Sequence, residues 1–323
     1  MRKAFILVLL TTIGFILAGC ANDGSGGPSE TPFIGGSNGL IQSFITGAPP
    51  EEILDDGQFE FSVITQMENK GEHNIEEGDG YVKIQGILAE DFGLTQSDFR
   101  QEMPALNGAK KNIDGSVTNG DITSVAFEGL NYLGSVPGVV RIGRIRVEAC
   151  YDYETITSTQ LCVRERLTTE KGREICNPSG EMKVSNSAGP IQITKLNEQP
   201  LSAGKIQVTL QVESVGQPND RFYKQGTDCQ DDYTNNDRYK VFVEAFEISG
   251  AGVVPDCSLQ QKESANSGYV TLYDGKPQIV TCKLDFGDID TSFQPLLRVD
   301  LKYRYSQYIE KGLWVKDVSV DEE

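Results

Sequence analysis

The sequence predicts an all-β protein made of two antiparallel β-sandwich modules, which follow a signal peptide and a flexible tether. Short segments in which apolar and polar residues alternate recur along the chain, and turn residues separate them, as expected for half-buried strands. Helical periodicity is almost absent after the signal segment. The composition agrees, because 34 glycines, 14 phenylalanines and 12 tyrosines suit turns and strands.

Residues 1–19 have the three parts of an export signal. Arg2 and Lys3 supply positive charge, residues 4–17 are almost wholly apolar, and two small residues follow. The apolar core is shorter than the stretch that a membrane-spanning helix normally needs. We therefore predict that the chain is exported.

The stretch Leu17-Ala18-Gly19-Cys20 closes this signal. It resembles the lipobox of prokaryotic lipoproteins, a family in which the signal is cut before the cysteine and the cysteine is lipidated. The resemblance implies a lipid at Cys20, and residues 20–32, rich in Gly, Ser and Pro, then become a flexible linker between the membrane and the folded part. An ordinary signal peptide with an incidental cysteine and an uncleaved anchor are the alternatives.

Residues 33–153 are predicted to form the first module. One strand is predicted at residues 59–67, in which Phe59, Phe61, Val63, Thr65 and Met67 form one mainly apolar face. Further strands are predicted at 81–87, 122–133 and 139–153. The alternation of the last strand slips near Gly143, where we expect a β-bulge.

Residues 154–189 are predicted to be a cysteine-containing excursion, and residues 190–323 to form the second module. The excursion is polar apart from apolar residues beside its cysteines, so we do not expect it to form a hydrophobic core of its own. Strand patterns in the second module cover residues 191–196, 205–213, 239–248, 269–272, 278–286, 297–305 and 313–315. Pro200 is expected to end the first of these, and 269–272 is expected to form a hairpin with 278–286.

The two predicted modules contain similar stretches, residues 59–71 and 204–216. When Phe61 is aligned with Ile206, Gly71 falls on Gly216, and both stretches alternate before they end at a glycine. The alternative is that any two amphipathic strands ending in glycine look alike.

The same stretches resemble CARDB-type and related immunoglobulin-like adhesion modules of prokaryotic surface proteins. The resemblance rests on a strand followed by an Asn-x-Gly turn, here Glu68-Asn69-Lys70-Gly71; the second copy has Ser214 in place of the asparagine. It implies immunoglobulin-like β-sandwich modules that serve adhesion or spacing, and it supplies no catalytic residues.

Seven cysteines are present, and lipidation of Cys20 leaves an even number for disulfides in an oxidising compartment. The disulfide candidates are Cys150, Cys162, Cys176, Cys229, Cys257 and Cys282. Six cysteines allow 15 pairings, and the sequence does not choose among them, although nearness favours Cys162 with Cys176 and Cys257 with Cys282. No CxxC pair suggests a zinc ribbon or a thioredoxin-type site.

The net charge of −18 argues against nucleic acid as a partner, because an acidic surface repels phosphates. Acidic residues concentrate in one loop, whose Asp228, Asp231, Asp232 and Asp237 are candidate calcium ligands. A second cluster holds Asp285, Asp288 and Asp290. A solvated acidic loop is the alternative in both places, and no other cofactor is predicted.

The sequence offers little support for catalysis. His73 is the only histidine, it lies in a predicted turn, and an exposed turn histidine is its ordinary interpretation. No nucleotide-binding glycine motif is present. Paired carboxylates could hydrolyse glycosides, but with 47 acidic residues such pairs have no diagnostic value.

Aromatic residues gather near the end of the chain, at Tyr303, Tyr305, Tyr308 and Trp314. They could form a platform for a ligand, but tyrosines two apart on a strand are the usual core pattern, which we favour. We therefore predict a lipid-anchored envelope or cell-surface protein, with a structural, adhesive or partner-binding role and no catalysis. Its partners would be the membrane and an envelope protein or glycan. A solute- or carbohydrate-binding lipoprotein and a carboxylate-based hydrolase are the alternatives.

Overall fold

The computed structural model describes residues 31–168, 175–178, 180–230 and 236–318. The predicted signal peptide, Cys20 and most of the linker lie outside these residues. Within them the chain is all-β, as predicted: strands dominate, and the described helices are two single 3-10 turns, Glu90–Phe92 and Tyr273–Gly275. No helix in the described ranges is long and apolar enough to cross a membrane.

The described part of the chain contains twenty strands. Their bounds are β1 Leu40–Phe44, β2 Glu52–Leu54, β3 Phe61–Asn69, β4 Gly80–Gln85, β5 Arg100–Glu102, β6 Lys110–Lys111, β7 Val117–Thr118, β8 Ile122–Leu130, β9 Val139–Gln160, β10 Gly180–Glu181, β11 Ser185–Asn186, β12 Ile191–Ser202, β13 Lys205–Ser214, β14 Arg221–Tyr223, β15 Lys240–Glu247, β16 Asp256–Ser258, β17 Gln261–Lys262, β18 Ser267–Thr271, β19 Gln278–Asp285 and β20 Leu296–Lys316.

The strands form three main sheets. A central sheet runs in the order β17-β18-β15-β20-β9-β4-β5, and β2, β11 and β14 add to it. A smaller sheet has the order β1-β3-β8, and another has the order β10-β12-β13-β19-β16. Residues that face inward from all three belong to one hydrophobic core, and inward and outward positions alternate most regularly along β13 and β15.

Two long strands, β9 and β20, join the predicted modules. They pair antiparallel from Val139 opposite Lys316 to Gln160 opposite Leu296. The boundary predicted between residues 153 and 154, where the first module ends and the excursion begins, falls inside β9. The central sheet is therefore continuous where the sequence suggested two separate modules, because strands of this length carry ladder hydrogen bonds across the boundary without interruption.

Several of the other strands repeat around the β9–β20 pair. The order β1-β3-β8 in one sheet matches β12-β13-β19 in the other, and β5-β4-β9 matches β18-β15-β20 within the central sheet. Leu40 pairs with Asn69 in the first set, and Ile191 pairs with Ser214 in the second. The repeat suggested by residues 59–71 and 204–216 thus has a counterpart in the order and pairing of these strands.

Several local predictions can be compared with the strands. The bulge expected near Gly143 is present, because Gly143 pairs with Leu313 while Arg141 pairs with Trp314. The hairpin expected between 269–272 and 278–286 is wrong: β18 pairs with β15, whereas β19 pairs with β13 in another sheet. Pro200 does not end β12, which continues to Ser202 through a register shift.

All six cysteines after Cys20 are paired. The disulfides are Cys150–Cys229, Cys162–Cys176 and Cys257–Cys282, which include both pairs favoured by nearness. Three disulfides indicate that the chain is exported from the reducing cytoplasm.

Candidate functional site

The inner face at the centre of the β9–β20 pair is made of four buried tyrosines. Tyr151 lies opposite Tyr305, and Tyr153 lies opposite Tyr303. Neighbouring ring centroids in this tyrosine cluster are 6.0 to 6.2 Å apart. Tyr303 and Tyr305 are therefore core residues, as the spacing of two predicts.

Each buried hydroxyl of the tyrosine cluster has a hydrogen-bond partner. The Tyr153 hydroxyl donates to the Ala188 carbonyl at 3.0 Å, and the Tyr305 hydroxyl donates to the Asp220 carboxylate. Burial raises the pKa of both phenols well above the usual range. The cluster is consequently a neutral, packed element, and it fixes the two strands whose outer faces carry the candidate site.

A polar cavity of about 460 Å³ lies on the outer face of the central sheet. Its floor is built by pairs of side chains from three adjacent strands: Lys83 and Gln85 of β4, Arg146 and Glu148 of β9, and Ser306 and Tyr308 of β20. Its walls come from Asn219, Arg221 and Tyr223 on one side and from Cys229 and Gln230 on the other. Its volume falls in the range of small-molecule sites.

Strand alternation places these side chains together. In β4, Val82 and Ile84 are buried in the core, so Lys83 and Gln85 face the opposite side. Val147 is likewise buried between Arg146 and Glu148 in β9. Since Lys83 pairs with Glu148, and Glu148 pairs in turn with Tyr308, the residues meet in one row across the sheet.

The polar cavity is rich in cations although the protein is acidic. Lys83, Arg146 and Arg221 line it, against the single carboxylate of Glu148. The Glu148 carboxylate lies 2.9 Å from Lys83 Nζ and accepts a 2.5 Å hydrogen bond from the Ser306 hydroxyl. Glu148 is therefore neutralised by Lys83, and Arg146 has a carboxylate partner of its own, Glu310.

The two arginines are held in place by different contacts. Arg146 lies over the Tyr308 ring at 3.9 Å and its Nη2 is 3.2 Å from Glu310, which is outside the cavity. Arg221 Nη1 donates to the Asp220 carbonyl at 3.0 Å. Both guanidinium groups are thus oriented before any ligand arrives, which lowers the entropic cost of binding.

The wall at Cys229 is fastened to the sheet. The Cys150–Cys229 disulfide joins it to β9, and Arg304 Nη1 donates to the Thr227 carbonyl at 2.8 Å. Arg304 also makes a two-pronged contact with Asp152, at 2.8 and 3.0 Å. The cavity wall is in this way held by covalent and charge-assisted contacts to both long strands.

A second cavity, of about 270 Å³, lies beside the first at the edge of β20. Between residues 307 and 313, β9 is the only described strand that pairs with β20. The opposite edge of β20 is therefore open over these residues. Gln42, Asp220 and Gln307 are among the residues that line this edge cavity, and Tyr308 lines both cavities. Tyr308 is therefore the residue that the two cavities share, and we call them together the double cavity.

Gln42 has an unusual environment in the edge cavity. Both its amide nitrogen and its amide oxygen are buried, and neither has a hydrogen-bond partner in the described structure. Such a group costs about 1 to 3 kcal/mol unless a ligand or water completes it. The Asp220 carboxyl lies in the same cavity, and burial raises its pKa.

A third cavity, of about 310 Å³, surrounds His73. The Glu72 carboxylate in it accepts three backbone N–H bonds, from Ile34, Gly35 and Ala188, so it ties loops together. His73 is not an exposed turn residue as predicted, because its ring packs on Tyr153 at 5.2 Å. Burial lowers the pKa of His73, which makes it a neutral packing group.

The candidate calcium ligands do not come together where the structure describes them. Asp228 lies 3.7 Å from Arg100, and Asp237 lies 3.6 Å from Lys240. Asp231 and Asp232 lie outside the described residues, so the prediction for that loop stays a prediction. Within the described ranges no three His, Cys, Asp or Glu side chains could share a metal ion, which includes Asp285, Asp288 and Asp290.

The sequence pattern did not single out the residues of the two cavities. The sequence marks Tyr308 only as part of an aromatic group, and Trp314 from that group lies elsewhere, 44% exposed. The alternation in β4 and β9 does mark Lys83, Arg146 and Glu148 as outward-facing. The alternation does not show that β4, β9, β20 and β14 are neighbours in the sheet, because contacts between strands that are distant in sequence depend on register.

Comparisons with known proteins add little. No family model matches the chain. No curated protein sequence matches it. Among solved structures, the secreted serine protease VesC from Vibrio cholerae is similar over 80% of this chain and 48% of that chain, with 10% identity and a TM-score of 0.16. The chain spans about half the length of that protease, and the TM-score is too low to indicate a shared fold.

Proposed function

We propose that the chain is an exported surface protein, anchored by a lipid at Cys20, whose β-sheet body binds a polar ligand of the cell envelope without chemistry of its own. The lipobox resemblance supports the anchor, and the three disulfides support export. The body would stand away from the membrane on residues 20–32.

The observation that carries the binding role is the double cavity around Tyr308. One part supplies oriented cations and the other supplies an unpartnered amide, while an aromatic ring lies between them. Saccharides are bound by this combination of planar polar side chains and aromatic faces. The carbohydrate-binding alternative is thus the form of binding that the geometry favours over a purely structural role.

Two measurements test this proposal. Cys20→Ser should release the protein from the membrane fraction, and retention of the variant would contradict the lipid anchor. Tyr308→Ala should weaken binding of the full chain to purified envelope polysaccharide at least about tenfold, because stacking and both cavity walls are lost. The matched control is Tyr273→Ala, since Tyr273 is 65% exposed and lines neither cavity. Equal effects of the two substitutions would contradict the site.

The hydrolase alternative gains no comparable support. Glu148 is engaged by Lys83 and Ser306, and Asp220 is engaged by the Tyr305 hydroxyl. A glycosidase needs one carboxyl that donates a proton and a second that is free to attack or to activate water. We therefore keep the binding role as the proposal.

A further inference from the structure

We propose that the edge cavity is a docking slot for one extended peptide segment of a partner protein, which adds a short strand to the open edge of β20. The proposal goes beyond saccharide binding. A docked strand uses the backbone at the edge of the central sheet, whereas the polar cavity lies on the outer face of that sheet. The repeated halves of the chain show what occupies the equivalent place.

The two halves match residue by residue around the tyrosine cluster. The Leu40 N–H donates to the Tyr151 hydroxyl at 3.4 Å. The Ile191 backbone makes the same contact with the Tyr303 hydroxyl in the other half. β1 is therefore equivalent to β12, and β20 is equivalent to β9.

In one half, a strand of the chain itself fills the space between β12 and β9. Asn186 of β11 pairs with Thr157 of β9. The Asn186 amide also donates to the Ile193 carbonyl at 3.0 Å and accepts from the Ile193 N–H at 3.2 Å. β11 thus bridges two strand edges, with its backbone on β9 and a side-chain amide on β12.

In the other half, the equivalent space is the edge cavity, and no described strand fills it. Gln42 pairs with Met67 of β3 and is the equivalent of Ile193. Ile309 is the equivalent of Thr157, since each follows a tyrosine of the cluster by four positions. Both Gln42 and Ile309 line the edge cavity.

The chain before β1 does not take the place that the chain before β12 takes. By count from β1, Ile34 and Gly35 correspond to the two residues of β11. Their N–H groups instead donate to the Glu72 carboxylate, at 3.0 and 3.1 Å, beside the third cavity. The slot is therefore left for a segment from elsewhere.

Both sides of the slot present hydrogen-bonding groups. The Leu296 carbonyl accepts from the Ile248 N–H on the side of β20 away from β9, and every second residue of a strand points the same way. The backbones of Tyr308 and Glu310 therefore point to the open edge, where no described strand pairs with them. The Gln42 amide, buried without a partner, faces the same cavity. A peptide can satisfy the backbone of β20 and this amide together.

A partner peptide suits the slot better than other occupants. β14 covers β20 up to Ser306 and β2 covers it from Trp314, so a single extended segment fits between them where the edge of a folded second copy would meet both strands. Residues 21–30 include three glycines, a proline, an asparagine and an aspartate, all depleted in strands. Among the described lining residues only Asp220 is charged, and the chain carries −18, so we expect a neutral or basic segment.

The test uses the full chain in detergent and a blocked peptide with the sequence of residues 183–188, Lys-Val-Ser-Asn-Ser-Ala, which copies the strand of the other half. Calorimetry should show binding, and hydrogen exchange should slow in residues 307–313. N-methylation of the second serine should weaken binding at least about tenfold, because the N–H of Ser187 donates to β9 at the Ile156 carbonyl. N-methylation of the asparagine, whose N–H points away from β9, is the control.

A pair of variants tests the same contact from the side of the protein. Glu310→Pro and Glu310→Gln both remove the ion pairs with Arg144 and Arg146, but only proline removes the N–H at the open edge. Proline is tolerated there because that N–H is not bonded to β9. We expect Glu310→Pro to bind the peptide at least about tenfold more weakly than Glu310→Gln, with similar thermal midpoints.

Four outcomes would overturn the proposal. Equal affinity for the two methylated peptides, or unchanged exchange in residues 307–313, would exclude strand addition. Displacement of the peptide by envelope polysaccharide, with the same protection, would assign the edge cavity to the saccharide. A dimer that protects these residues without peptide would assign it to a second copy. Absence of peptide binding, with saccharide binding that still depends on Tyr308, would remove the slot and leave the proposed function intact.

Discussion

Gly71 lies against the hydroxyl end of Tyr153, so closely that a β-carbon on Gly71 would overlap the phenol. Gly216 stands in the same relation to Tyr305 in the other half of the chain. These are the two glycines that align when residues 59–71 and 204–216 are superposed. The strand-ending glycine of the repeat thus serves the tyrosine cluster, because only a residue without a side chain lets the turn approach the ring.

Alanine at either glycine should be destabilising. We expect Gly71→Ala and Gly216→Ala each to lower the free energy of unfolding by about 1 to 3 kcal/mol, since the added methyl forces buried rings apart. Chemical denaturation measures this directly. Gly312→Ala is the control, because its new β-carbon would meet Arg141 at an ordinary 3.4 Å. Similar losses at Gly312 and Gly71 would argue against the close approach.

Arg304 should be sensitive even to a conservative replacement. It contacts both oxygens of Asp152 and two backbone carbonyls, those of Thr227 and Asp79. Arg304→Lys keeps the charge but cannot make these contacts together, so we expect a loss of about 2 to 3 kcal/mol in unfolding free energy. Arg141→Lys, near the exposed Trp314, provides a surface control. The expectation fails if both replacements cost the same.

The disulfides should differ in what their loss affects. Replacing Cys150 and Cys229 by serine opens a loop with a sequence separation of 79 and should cost ~4 kcal/mol. Replacing Cys162 and Cys176, with a separation of 14, should cost ~3 kcal/mol. Saccharide binding should fall only in the first variant, because Cys229 forms a wall of the polar cavity. An equal loss of binding in the two variants would show that the Cys229 wall has no specific role in binding.

Glu198 should give the stability a distinct pH dependence. Burial raises its pKa from 4.5 to about 7, although the Cys162 N–H donates to the carboxylate. The folded state then holds the proton more tightly than the unfolded state does. The Glu198 contribution is therefore most favourable below pH 4.5, declines as the pH rises from 4.5 to about 7, and stays constant above.

Glu198→Gln removes this titration while it keeps an acceptor for the Cys162 N–H. The unfolding free energy of the variant relative to the parent should rise by roughly 2 to 3 kcal/mol between pH 4.5 and pH 8. Denaturation curves at several pH values check the slope. Glu181→Gln, at an exposed position of β10, should show no such trend, and a flat difference for Glu198→Gln would disprove the linkage.

The sequence predicted the strands well where they are regular. The strands predicted at residues 205–213 and 239–248 agree with β13 and β15 within a residue or two. The bulge predicted near Gly143 is also present. These features are local, since each strand shows its two faces in its own spacing. The hairpin predicted at residues 269–286 is wrong because strand pairing is not a local feature: the turn residues do not determine which sheet the next strand joins.

The candidate site was beyond the reach of sequence patterns. Lys83, Arg146, Arg221 and Tyr308 are far apart in the chain and form no motif. They meet because β4, β9, β20 and β14 pair in a particular register, and a shift by one residue would turn their side chains into the core.

The sequence by itself determined the all-β class, the alternating faces of its strands and the even set of six cysteines, because these depend on local spacing and composition. It also supplied the motif at Cys20 that predicts the anchor. The tertiary structure decided that β9 and β20 run through both halves, that Cys150 joins Cys229, and that arginines gather beside Tyr308. Those features arise from long-range strand pairing, which buries apolar faces across the whole chain and carries no local signal.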